Sequence, residues 1–399
     1  MLPSCAKKAE GQSNTGDTTQ TGTLDPVETK AANTNYTPAF TGQTRIAGIK
    51  TKASYKVEKI AQSIGTPWAV VPLPDGRLLI TDKSGFMQLF SATGELQKKI
   101  NGFPAVDNGG QGGLLDVAPD PDFANNKILY WSFSEAQQGG GNLMAVAKGT
   151  LSADETSIEN PTVIFRATPK LNSSLHFGSR IVFDAGGNMF VSTGERSILE
   201  GRAQAQLLSS DLGKIFRLTK DGQPVAGNPF EGQSNANAEI YAYGIRNPQG
   251  LAIHPVTGDL WEAEFGPRGG DEVNIIKAGK NYGWPTITYG IEYSGEKVGA
   301  GITQKTGLEQ PVYYWDPVVS PSGITFYTGD AIPEWKNNLF LGALSGMHIV
   351  RLVIDGNNKV VGEERLMADK NERVRDVTNH PNGSIYAVTD SGNLYRIGI

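Results

Sequence analysis

A turn followed by an alternating apolar strand recurs six times along this chain. In each copy the turn is built from Asp, Asn, Pro or Gly, and the strand ends in another polar turn. Successive strand centres lie about 45 to 80 residues apart, so each copy is expected to belong to a separate unit of a repeat fold. The six copies are LPDGRLLITD from Leu73, DFANNKILYWSFS from Asp122, FDAGGNMFVSTGE from Phe183, HPVTGDLWEAEFG from His254, PEWKNNLFLGALSG from Pro333 and HPNGSIYAVTD from His380.

This repeat predicts an all-β chain folded as a six-bladed β-propeller with four-stranded antiparallel blades. The 49 glycines and 22 prolines favour many short strands and tight turns over long helices. So many antiparallel strands must close or stack to hide their edges. Segment 55–64 and the last strand, 393–399, are predicted to complete one blade and close the ring. The competing architecture is two β-sandwiches, with a more regular strand spacing of about 8 to 12 residues.

Charge and cysteine content exclude several classes of protein. The net charge of −5 provides no general attraction to nucleic acid or anionic membranes, so neither is an expected partner. No apolar run reaches the roughly 18 residues that a membrane-spanning helix requires. The single cysteine, Cys5, excludes an intramolecular disulfide and a zinc site rich in thiolates.

Residues 1–50 are predicted to form a flexible N-terminal tether, and residues 51–399 the catalytic propeller. The tether is rich in Thr, Gly, Ser, Asn and Gln, a composition too poor in apolar groups to offset the entropy of ordering. Its first residues, MLPSC, resemble the end of a bacterial lipoprotein signal, where a small residue precedes the acylated cysteine. A lipid anchor at Cys5 and an incidental cysteine in a disordered tail are both open. An anchor would place the protein outside the cytoplasm, in the periplasm or at the cell surface.

The repeat also separates the four histidines. His254 and His380 stand at equivalent positions at the start of a blade turn and are predicted to be turn or packing residues. His348 alternates with apolar residues in a predicted strand, where a structural and a channel-facing role are both open. His176 precedes an apolar strand and matches no turn of the repeat. It is therefore the candidate general base, although a lone histidine is often a buried structural residue.

Glu195 is the candidate partner of His176. It follows the next strand, so a short hairpin would return both side chains to the same end of one blade. A carboxylate there can fix the tautomer of the imidazole and raise the basicity of its other nitrogen. The alternative is a surface salt bridge from Glu195 to Arg196 or Arg202.

Arg373 and Arg375 alternate along a predicted strand and should point to the same face. Two like charges on one face repel each other unless an anion lies between them, and a guanidinium is well suited to a carboxylate or a quinone oxygen. The alternative is pairing of these arginines with Glu372, Asp376 or Glu364.

The loop EFGPRGGDEVN, residues 264–274, is the candidate metal site. It offers carbonyl oxygens from Gly266 and Pro267 and carboxylates from Asp271 and Glu272. Calcium prefers such oxygen donors, whereas zinc or copper would require His or Cys. The chain has no phosphate-binding GxxxxGK[ST] and no strand-GxGxxG-helix unit, so ATP and NAD are poorly supported.

Together, six segments resemble the soluble pyrroloquinoline quinone (PQQ)-dependent aldose sugar dehydrogenases, which are related to soluble quinoprotein glucose dehydrogenase. The segments are GTPWAVVPLPDGRLLITD, GGQGGLLDVAPDPDF, LHFGSRIVFD, YGIRNPQGLA, EFGPRGGDEVNIIKAGKNYGWP and ERVRDVTNHPNGSIYAVTD. The resemblance spans about residues 55–399. It implies a six-bladed propeller with PQQ and Ca²⁺ as cofactors. It also implies oxidation of the C1 hydroxyl of aldose sugars to lactones, by base-assisted hydride transfer to PQQ.

The resemblance further implies a role for individual residues. His176 corresponds to the base, Glu195 to the carboxylate that orients it, and Arg246 to the group that stabilises charge on the quinone oxygen. The implied PQQ-binding residues are Gln111, Arg246, Asn247, Arg373 and Arg375, and the implied calcium ligands are Gly266, Pro267, Glu272 and Tyr282.

Two positions depart from the glucose dehydrogenase branch. Leu175 stands where that branch has an aspartate, and Ser345 or Gly346 where it has a cofactor-binding lysine; both favour the broader aldose branch. The expected partners are an aldose sugar and an electron acceptor that the sequence does not identify, and the chain is expected as a monomer or a dimer. The alternative functions are a calcium-dependent lactonase or esterase and a non-catalytic binding propeller.

Overall fold

Within residues 24–399, the part of the chain that the computed structural model describes, 24 strands form six four-stranded antiparallel sheets. β1 (Lys56–Gln62) comes first in the chain and belongs to the last sheet. Blade 1 contains β2 (Pro67–Pro72), β3 (Leu78–Asp82), β4 (Phe86–Phe90) and β5 (Leu96–Ile100); blade 2 contains β6 (Leu114–Pro119), β7 (Ile128–Ala136), β8 (Asn142–Leu151) and β9 (Ile158–Arg166); and blade 3 contains β10 (Ile181–Phe183), β11 (Met189–Thr193), β12 (Lys214–Leu218) and β13 (Ile240–Tyr243).

The second half of the ring repeats this arrangement. Blade 4 contains β14 (Pro248–Ile253), β15 (Leu260–Glu264), β16 (Asp271–Ile276) and β17 (Tyr313–Trp315); blade 5 contains β18 (Pro321–Phe326), β19 (Leu339–Ala343), β20 (His348–Ile354) and β21 (Val360–Leu366); and blade 6 contains β22 (Val374–Asn379), β23 (Ile385–Thr389), β24 (Asn393–Gly398) and β1. Two short helices, α1 (Phe123–Asn126) and α2 (Leu199–Gln204), and two 3-10 turns, Pro333–Trp335 and Ala368–Lys370, lie between strands.

The first strands of the six blades contact one another in a closed ring, β2, β6, β10, β14, β18 and β22. The ring is closed by pairing of β1 with β24, from Lys56 opposite Gly398 to Gln62 opposite Asn393. The predicted propeller and the predicted closing blade are therefore confirmed, and two β-sandwiches are excluded. Closure pairs the edge that the outermost strand of this sheet would otherwise leave open.

Each copy of the sequence repeat is the hairpin between the first and second strands of a blade. Its turn uses left-handed glycines such as Gly76 and Gly383, a conformation that other residues adopt only at a steric cost. His254 Nδ1 accepts a hydrogen bond from Thr257 N at 3.1 Å, and His380 Nδ1 accepts one from Asn382 N at 3.1 Å. The prediction that these two histidines are turn residues is confirmed.

The hydrophobic core lies between neighbouring sheets rather than at the centre of the ring. One cluster joins blades 1 to 3 around the fully buried Trp131, and another joins blades 4 and 5 around Trp261. Because both faces of each inner strand are covered, β3 and β11 are buried at every position. A cavity of about 130 Å³ remains among the first strands and is lined by apolar side chains, such as Val70 and Leu251, as well as by charged ones.

A buried arginine, Arg180, lies among the first strands of the blades. Arg180 Nη1 lies 3.1 Å from Asp116 Oδ1, and its Nη2 lies 2.9 Å from Asp376 Oδ1. Its Nε donates to Gln249 O at 2.6 Å, and its guanidinium lies 4.3 Å from the centre of the Trp68 ring. These five residues, of which Gln249 contributes its backbone oxygen, come from blades 1, 2, 3, 4 and 6, so one buried cation links most of the ring.

Residues 24–50 lie against blades 4 and 5, which differs from the flexible tether expected there. Glu28 accepts a hydrogen bond from Arg365 Nη2 at 2.8 Å, and Gln43 O accepts one from Tyr314 N at 2.9 Å. Ile49 N donates to Glu363 O at 3.0 Å. The segment has few apolar groups, and it is ordered by polar contacts that its composition does not reveal. Cys5 lies outside the described residues. Within residues 24–399 no helix is long and apolar enough to cross a membrane.

Candidate active site

The loops on one face of the propeller carry the residues expected to form the site. This face, the entry face, is where the first strand of each blade begins and where the second strand ends. His176 precedes β10, Arg246 and Asn247 precede β14, Glu195 follows β11, and Gly266 follows β15. Because the chain direction is the same in every blade, loops far apart in sequence converge here. Asn281, next to Tyr282, reaches the same face by bridging to Tyr243 at the end of β13.

His176 and Glu195 form a buried pair on this face. His176 Nδ1 lies 2.6 Å from Glu195 Oε1, and the two side chains are 6% and 1% exposed. A neutral imidazole in this geometry holds its proton on Nδ1 and donates it to the carboxylate. The hydrogen bonds within residues 24–399 leave Nε2 without a partner, so this nitrogen is available as a base.

The surroundings keep His176 neutral. Burial lowers its pKa to about 4; the positive charges of Arg246 and Arg196 add to this effect, whereas Glu195 opposes it. The backbone of His176 is left-handed, with φ of 49°, a conformation uncommon for residues other than glycine. Gln111 Oε1 accepts a hydrogen bond from His176 N at 2.8 Å. The expected PQQ ligand Gln111 thus holds the backbone of the candidate base.

Arg196 has a role that the sequence did not suggest. It is 1% exposed and donates to carbonyl oxygens, including that of Leu175 at 3.0 Å and that of Ser173. Its guanidinium also lies 4.0 Å from the centre of the Phe177 ring. Arg196 therefore fixes the segment on both sides of His176. The alternative surface salt bridge to Glu195 is not formed, and Arg202 pairs with Glu292 instead.

Glu264 holds the backbone of Arg246 and Asn247. Its buried Oε2 accepts hydrogen bonds from Arg246 N at 2.5 Å and Asn247 N at 3.3 Å. The loop is tied to the histidine, because Glu195 N donates to Arg246 O at 2.9 Å and Gly178 N donates to Asn247 Oδ1 at 3.2 Å. Arg246 Nε and Asn247 Nδ2 are buried and have no hydrogen-bond partner within residues 24–399. Two unsatisfied donors at one site indicate that a ligand with acceptor groups belongs there.

The loop after β15 places Gly266 beside Arg246. Gly266 O accepts a hydrogen bond from Arg246 Nη1 at 2.7 Å. Asp271, expected to offer a carboxylate to a metal, is used for folding instead. Its Oδ1 accepts a hydrogen bond from Gly266 N at 2.7 Å, and its Oδ2 accepts from Val319 N and Ser320 N at 2.8 and 2.6 Å.

Three glutamates lie side by side in this blade. Glu264 and Glu272 are opposite each other in the register of β15 and β16, and Glu262 is opposite Asn274. Burial, together with the neighbouring carboxylates, raises the pKa of Glu262 and of Glu272 well above the ordinary value. Glu262 Oε1 and Asn274 Oδ1 are buried oxygens with no partner among the described residues. Such a group of buried oxygen acceptors favours a bound cation, which would also keep the carboxylates ionised.

A cavity of about 10 Å³ lies next to these carboxylates and is lined by Glu264, Gly266, Glu272 and Tyr282 among others. It is close to the smallest size that holds one water molecule or ion. Side chains alone do not complete a metal site: within residues 24–399 no group of three or more His, Cys, Asp or Glu is arranged to hold a metal. Backbone carbonyls such as those of Gly266 and Tyr282 would have to contribute, as calcium permits.

Arg373 and Arg375 point to one face, and both contact an aspartate that the sequence did not single out. Arg373 Nε donates to Asp390 Oδ2 at 2.9 Å, and Arg375 Nε donates to Asp390 Oδ1 at 2.8 Å. The expected alternative partners Glu372, Asp376 and Glu364 make no ion pair with either arginine. Arg375 Nη1 also donates to Gln249 Oε1 at 3.1 Å, which connects this pair to the strand that follows Asn247. The two arginines provide two positive charges for one carboxylate, so an anionic ligand fits here.

Comparison with known proteins places this geometry in a family. Residues 64–396 match the glucose/sorbosone dehydrogenases. The chain belongs to this family. The predicted resemblance is thereby confirmed, and the match reaches every blade but excludes residues 24–63, which include β1 of blade 6.

Relatives in this family include enzymes with named activities. Aldose sugar dehydrogenase YliI of Escherichia coli (strain K12) is 42% identical over 349 residues, which cover 86% of this chain and 93% of that protein. Quinoprotein glucose dehydrogenase B of Acinetobacter calcoaceticus is 27% identical over 417 residues, which cover 84% of this chain and 86% of that protein.

Solved structures agree with this placement. The apo-form of the soluble aldose sugar dehydrogenase from Escherichia coli has a TM-score of 0.83 at 42% identity and covers 86% of this chain and 99% of its own. The PQQ-bound aldose sugar dehydrogenase from Streptomyces coelicolor has a TM-score of 0.71 at 28% identity, covering 88% and 99%.

The two positions that depart from the glucose dehydrogenase branch lie at the entry face. Leu175 is 39% exposed beside His176. Ser345 Oγ lies 2.7 Å from Ser320 Oγ, close to the Asp271 carboxylate that holds Ser320. Ser345 carries no charge, and Arg246, Arg373 and Arg375 are among the cations on this face.

Three contributors to the site were missed by reasoning from the sequence: Glu264, Arg196 and Asp390. Glu264 ends the second strand of its blade, and Asp390 and Glu195 follow theirs closely, so their shared position in the repeat was a usable signal. Arg196 had no such signal, because its acceptors, three backbone carbonyls and Asn142 Oδ1, belong to residues 20 or more positions away.

Proposed function

We propose that this protein is a quinoprotein that oxidises aldose sugars at C1 to lactones, with PQQ and calcium as cofactors. The buried His176–Glu195 pair carries the proposal, because it leaves Nε2 of a neutral imidazole without a partner beside the unsatisfied donors of Arg246 and Asn247. Oxidation of an alcohol by hydride removal requires a base next to a group that accepts the hydride. The donors of Arg246 and Asn247 would hold such a group beside His176. Its relatives named as aldose sugar and quinoprotein glucose dehydrogenases support this chemistry.

The residues present fit PQQ and calcium. Arg373 and Arg375 offer excess positive charge for the carboxylates of the quinone, and the buried Asn247 Nδ2 and Arg246 Nε offer donors to its oxygens. Gly266 and Pro267 would supply carbonyl oxygens to a calcium at the quinone. Glu272 and the Tyr282 carbonyl would hold a second calcium beside the small cavity. When bound, the quinone accepts the hydride, and the adjacent calcium increases its electrophilicity.

The protein's own residues supply the proton transfer and the electrostatics. His176 Nε2 removes the proton from the C1 hydroxyl as the hydride leaves C1, so the sugar loses two electrons and two hydrogens and becomes the lactone. Glu195 stabilises the imidazolium that forms and holds the ring in the productive tautomer. Arg246 stabilises the negative charge that develops on the oxygen of the hydride acceptor. Burial of both His176 and Arg246 excludes water, which strengthens these interactions.

Reconstitution tests the proposal directly. Apo-protein given PQQ and calcium should reduce an electron-accepting dye when an aldose is added, and its absorption spectrum should change to that of the reduced quinone only after the sugar is added. His176→Gln should still bind PQQ but lose about 10² to 10⁴ in rate, the usual contribution of a general base. Binding of PQQ without oxidation of any aldose would refute the proposal, and so would hydrolysis of a lactone or ester in the absence of PQQ.

We also propose an extracytoplasmic location with a lipid anchor at Cys5, on the basis of the MLPSC sequence. The test is metabolic labelling of the full-length chain with a fatty-acid analogue in a bacterial host. Label that disappears in Cys5→Ser would support the anchor, and equal labelling of both chains would refute it.

A further inference from the structure

The segment 24–50 contacts the loop that carries Gly266 and Pro267, although the match to the family begins only at residue 64. Its turn at Asn33 and Thr34 is the point of contact. Asp316, 4% exposed at the end of β17, accepts four hydrogen bonds, all from this turn. Asn33 N donates at 2.9 Å, Asn33 Nδ2 at 2.8 Å, Thr34 N at 2.9 Å and Thr34 Oγ1 at 2.9 Å.

These four bonds use the acceptor capacity of one carboxylate. Arg45 Nη2, farther along the same segment, donates to the backbone oxygen of Asp316 at 2.7 Å. Asp316 therefore binds the segment through both its carboxylate and its backbone oxygen. A flexible tether would be surrounded by solvent, whereas this segment is bound to a buried carboxylate by several hydrogen bonds.

Asp316 also contacts the loop that carries Gly266 and Pro267. A Cβ at Gly269 would lie 2.7 Å from Asp316 Oδ1, so the loop backbone rests directly against the carboxylate. Gly270 N donates to Trp315 O at 2.8 Å. Asn33 Oδ1 accepts a hydrogen bond from Arg268 Nε at 3.1 Å, so Asn33 bridges Asp316 and the loop.

We propose that residues 24–50 act as a strap whose Asn33–Thr34 turn holds the loop 266–270 in the conformation that presents its carbonyl oxygens to calcium. The calcium part rests on the proposed function; the bracing of the loop does not. Carbonyl donors held in place before the metal arrives bind it more tightly, because less ordering remains to be done on binding. Asn33, Thr34 and Asp316 are therefore positioning residues for the site.

Amide hydrogen exchange of the apo-protein tests the bracing without any cofactor. In Asn33→Ala/Thr34→Val we expect the amides of Arg268 and Gly270 to exchange about tenfold faster, because the bond between Arg268 and Asn33 and the two side-chain bonds to Asp316 are lost. The matched control is Glu28→Gln, which removes the ion pair of the same strap with Arg365, away from the loop. It should leave exchange in the loop within about twofold of the wild type.

Unchanged exchange in the loop, or an equal increase in all six blades, would overturn the proposal. Should the double variant not fold, Asp316→Ala removes all four hydrogen bonds between the turn and this carboxylate. Calcium titration by calorimetry of the same proteins then tests the consequence: affinity should fall about tenfold in the double variant and not in the control. A loop that exchanges faster while calcium affinity stays unchanged would overturn the role in metal binding. Wild-type protein that binds no calcium would instead refute the calcium assignment of the proposed function, and hydrogen exchange would still decide the bracing.

Discussion

Replacing Glu195 by Gln should inactivate the enzyme while leaving its fold and its PQQ site intact. The substitution keeps the shape of the side chain but removes the charge that faces His176 Nδ1 at 2.6 Å. It also introduces an amide that can donate to Nδ1, which would favour the tautomer with the proton on Nε2. An imidazole in that tautomer cannot accept the proton of the sugar hydroxyl.

The magnitude follows from the charge lost. When His176 takes up a proton, the imidazolium and the buried carboxylate attract each other by about 4 kcal/mol, for charges about 4 Å apart at an effective dielectric constant of about 20. About 1.4 kcal/mol corresponds to a factor of ten in rate, so kcat should fall about 10³-fold. Affinity for PQQ should change little, because Glu195 does not face the arginines that would bind its carboxylates.

The pH dependence gives a second measurement. Activity requires neutral His176 and is lost as the pH falls through the pKa of this group, about 4 in the unliganded protein. The acid limb of kcat/KM should therefore lie well below the ordinary histidine range. Because Glu195 raises the pKa of His176 against the effect of burial, Glu195→Gln should move this limb to still lower pH.

Single-turnover reduction of bound PQQ by an aldose, measured from pH about 3.5 to about 8, provides both quantities. Glu200→Gln, an exposed carboxylate on α2, is the matched control and should behave as wild type. A kcat for Glu195→Gln within about fivefold of wild type would refute the assigned role of the pair, and so would an acid limb near the ordinary histidine pKa in the wild-type protein.

Three further predictions concern other parts of the molecule. Arg375→Ala should weaken PQQ binding about 10- to 100-fold in a fluorescence titration, because a charged hydrogen bond is lost, whereas Arg396→Ala, in an exposed pair of blade 6, should not; equal affinities would contradict the assigned carboxylate site. Arg180→Gln should lower the free energy of unfolding in urea by about 3 to 5 kcal/mol, because the buried carboxylates of Asp116 and Asp376 lose their cation. Changing both aspartates to Asn in the same protein should restore most of the lost stability. No recovery would show that the ion pairs are not the cause. Lys214 donates to three carbonyl oxygens, and burial lowers its pKa to about 7 from 10.5. Between these values the unfolded chain binds a proton that the folded protein does not, so the free energy of unfolding decreases as the pH falls from 10.5 towards about 7. Lys214→Met should remove this part of the pH dependence of urea unfolding.

The fold was predictable because it depends on a pattern that repeats. The turn and strand that recur from Leu73 to His380 are the same hairpin in each blade, and alternation of apolar residues is a local property of the chain. Closure by β1 and β24 was also predictable. One strand-like segment at the start of the propeller and one strand at the end of the chain were left over, and together they complete a single blade.

Contacts across one hairpin were more accessible than contacts between distant segments. The pairing of Glu195 with His176 could be anticipated, because one hairpin separates them. Asp390 lies one hairpin from Arg373 and Arg375, and Glu264 lies one hairpin from Arg246, so the same reasoning could have found both. Arg196 could not be assigned from sequence, because most of its partners are backbone carbonyl oxygens, which every residue possesses, and the other, Asn142 Oδ1, lies more than 50 residues away.

By itself, the sequence determined the number of blades, the family and the candidate base, because periodicity and motifs are written in residue order. Only the tertiary structure decided which charges are balanced. It places residues 24–50 against blades 4 and 5, although their composition is that of a tether, because one buried carboxylate on blade 4 binds their polar groups. Composition measures the apolar surface a segment can bury, and it contains no information about a hydrogen-bonding partner nearly 300 residues away.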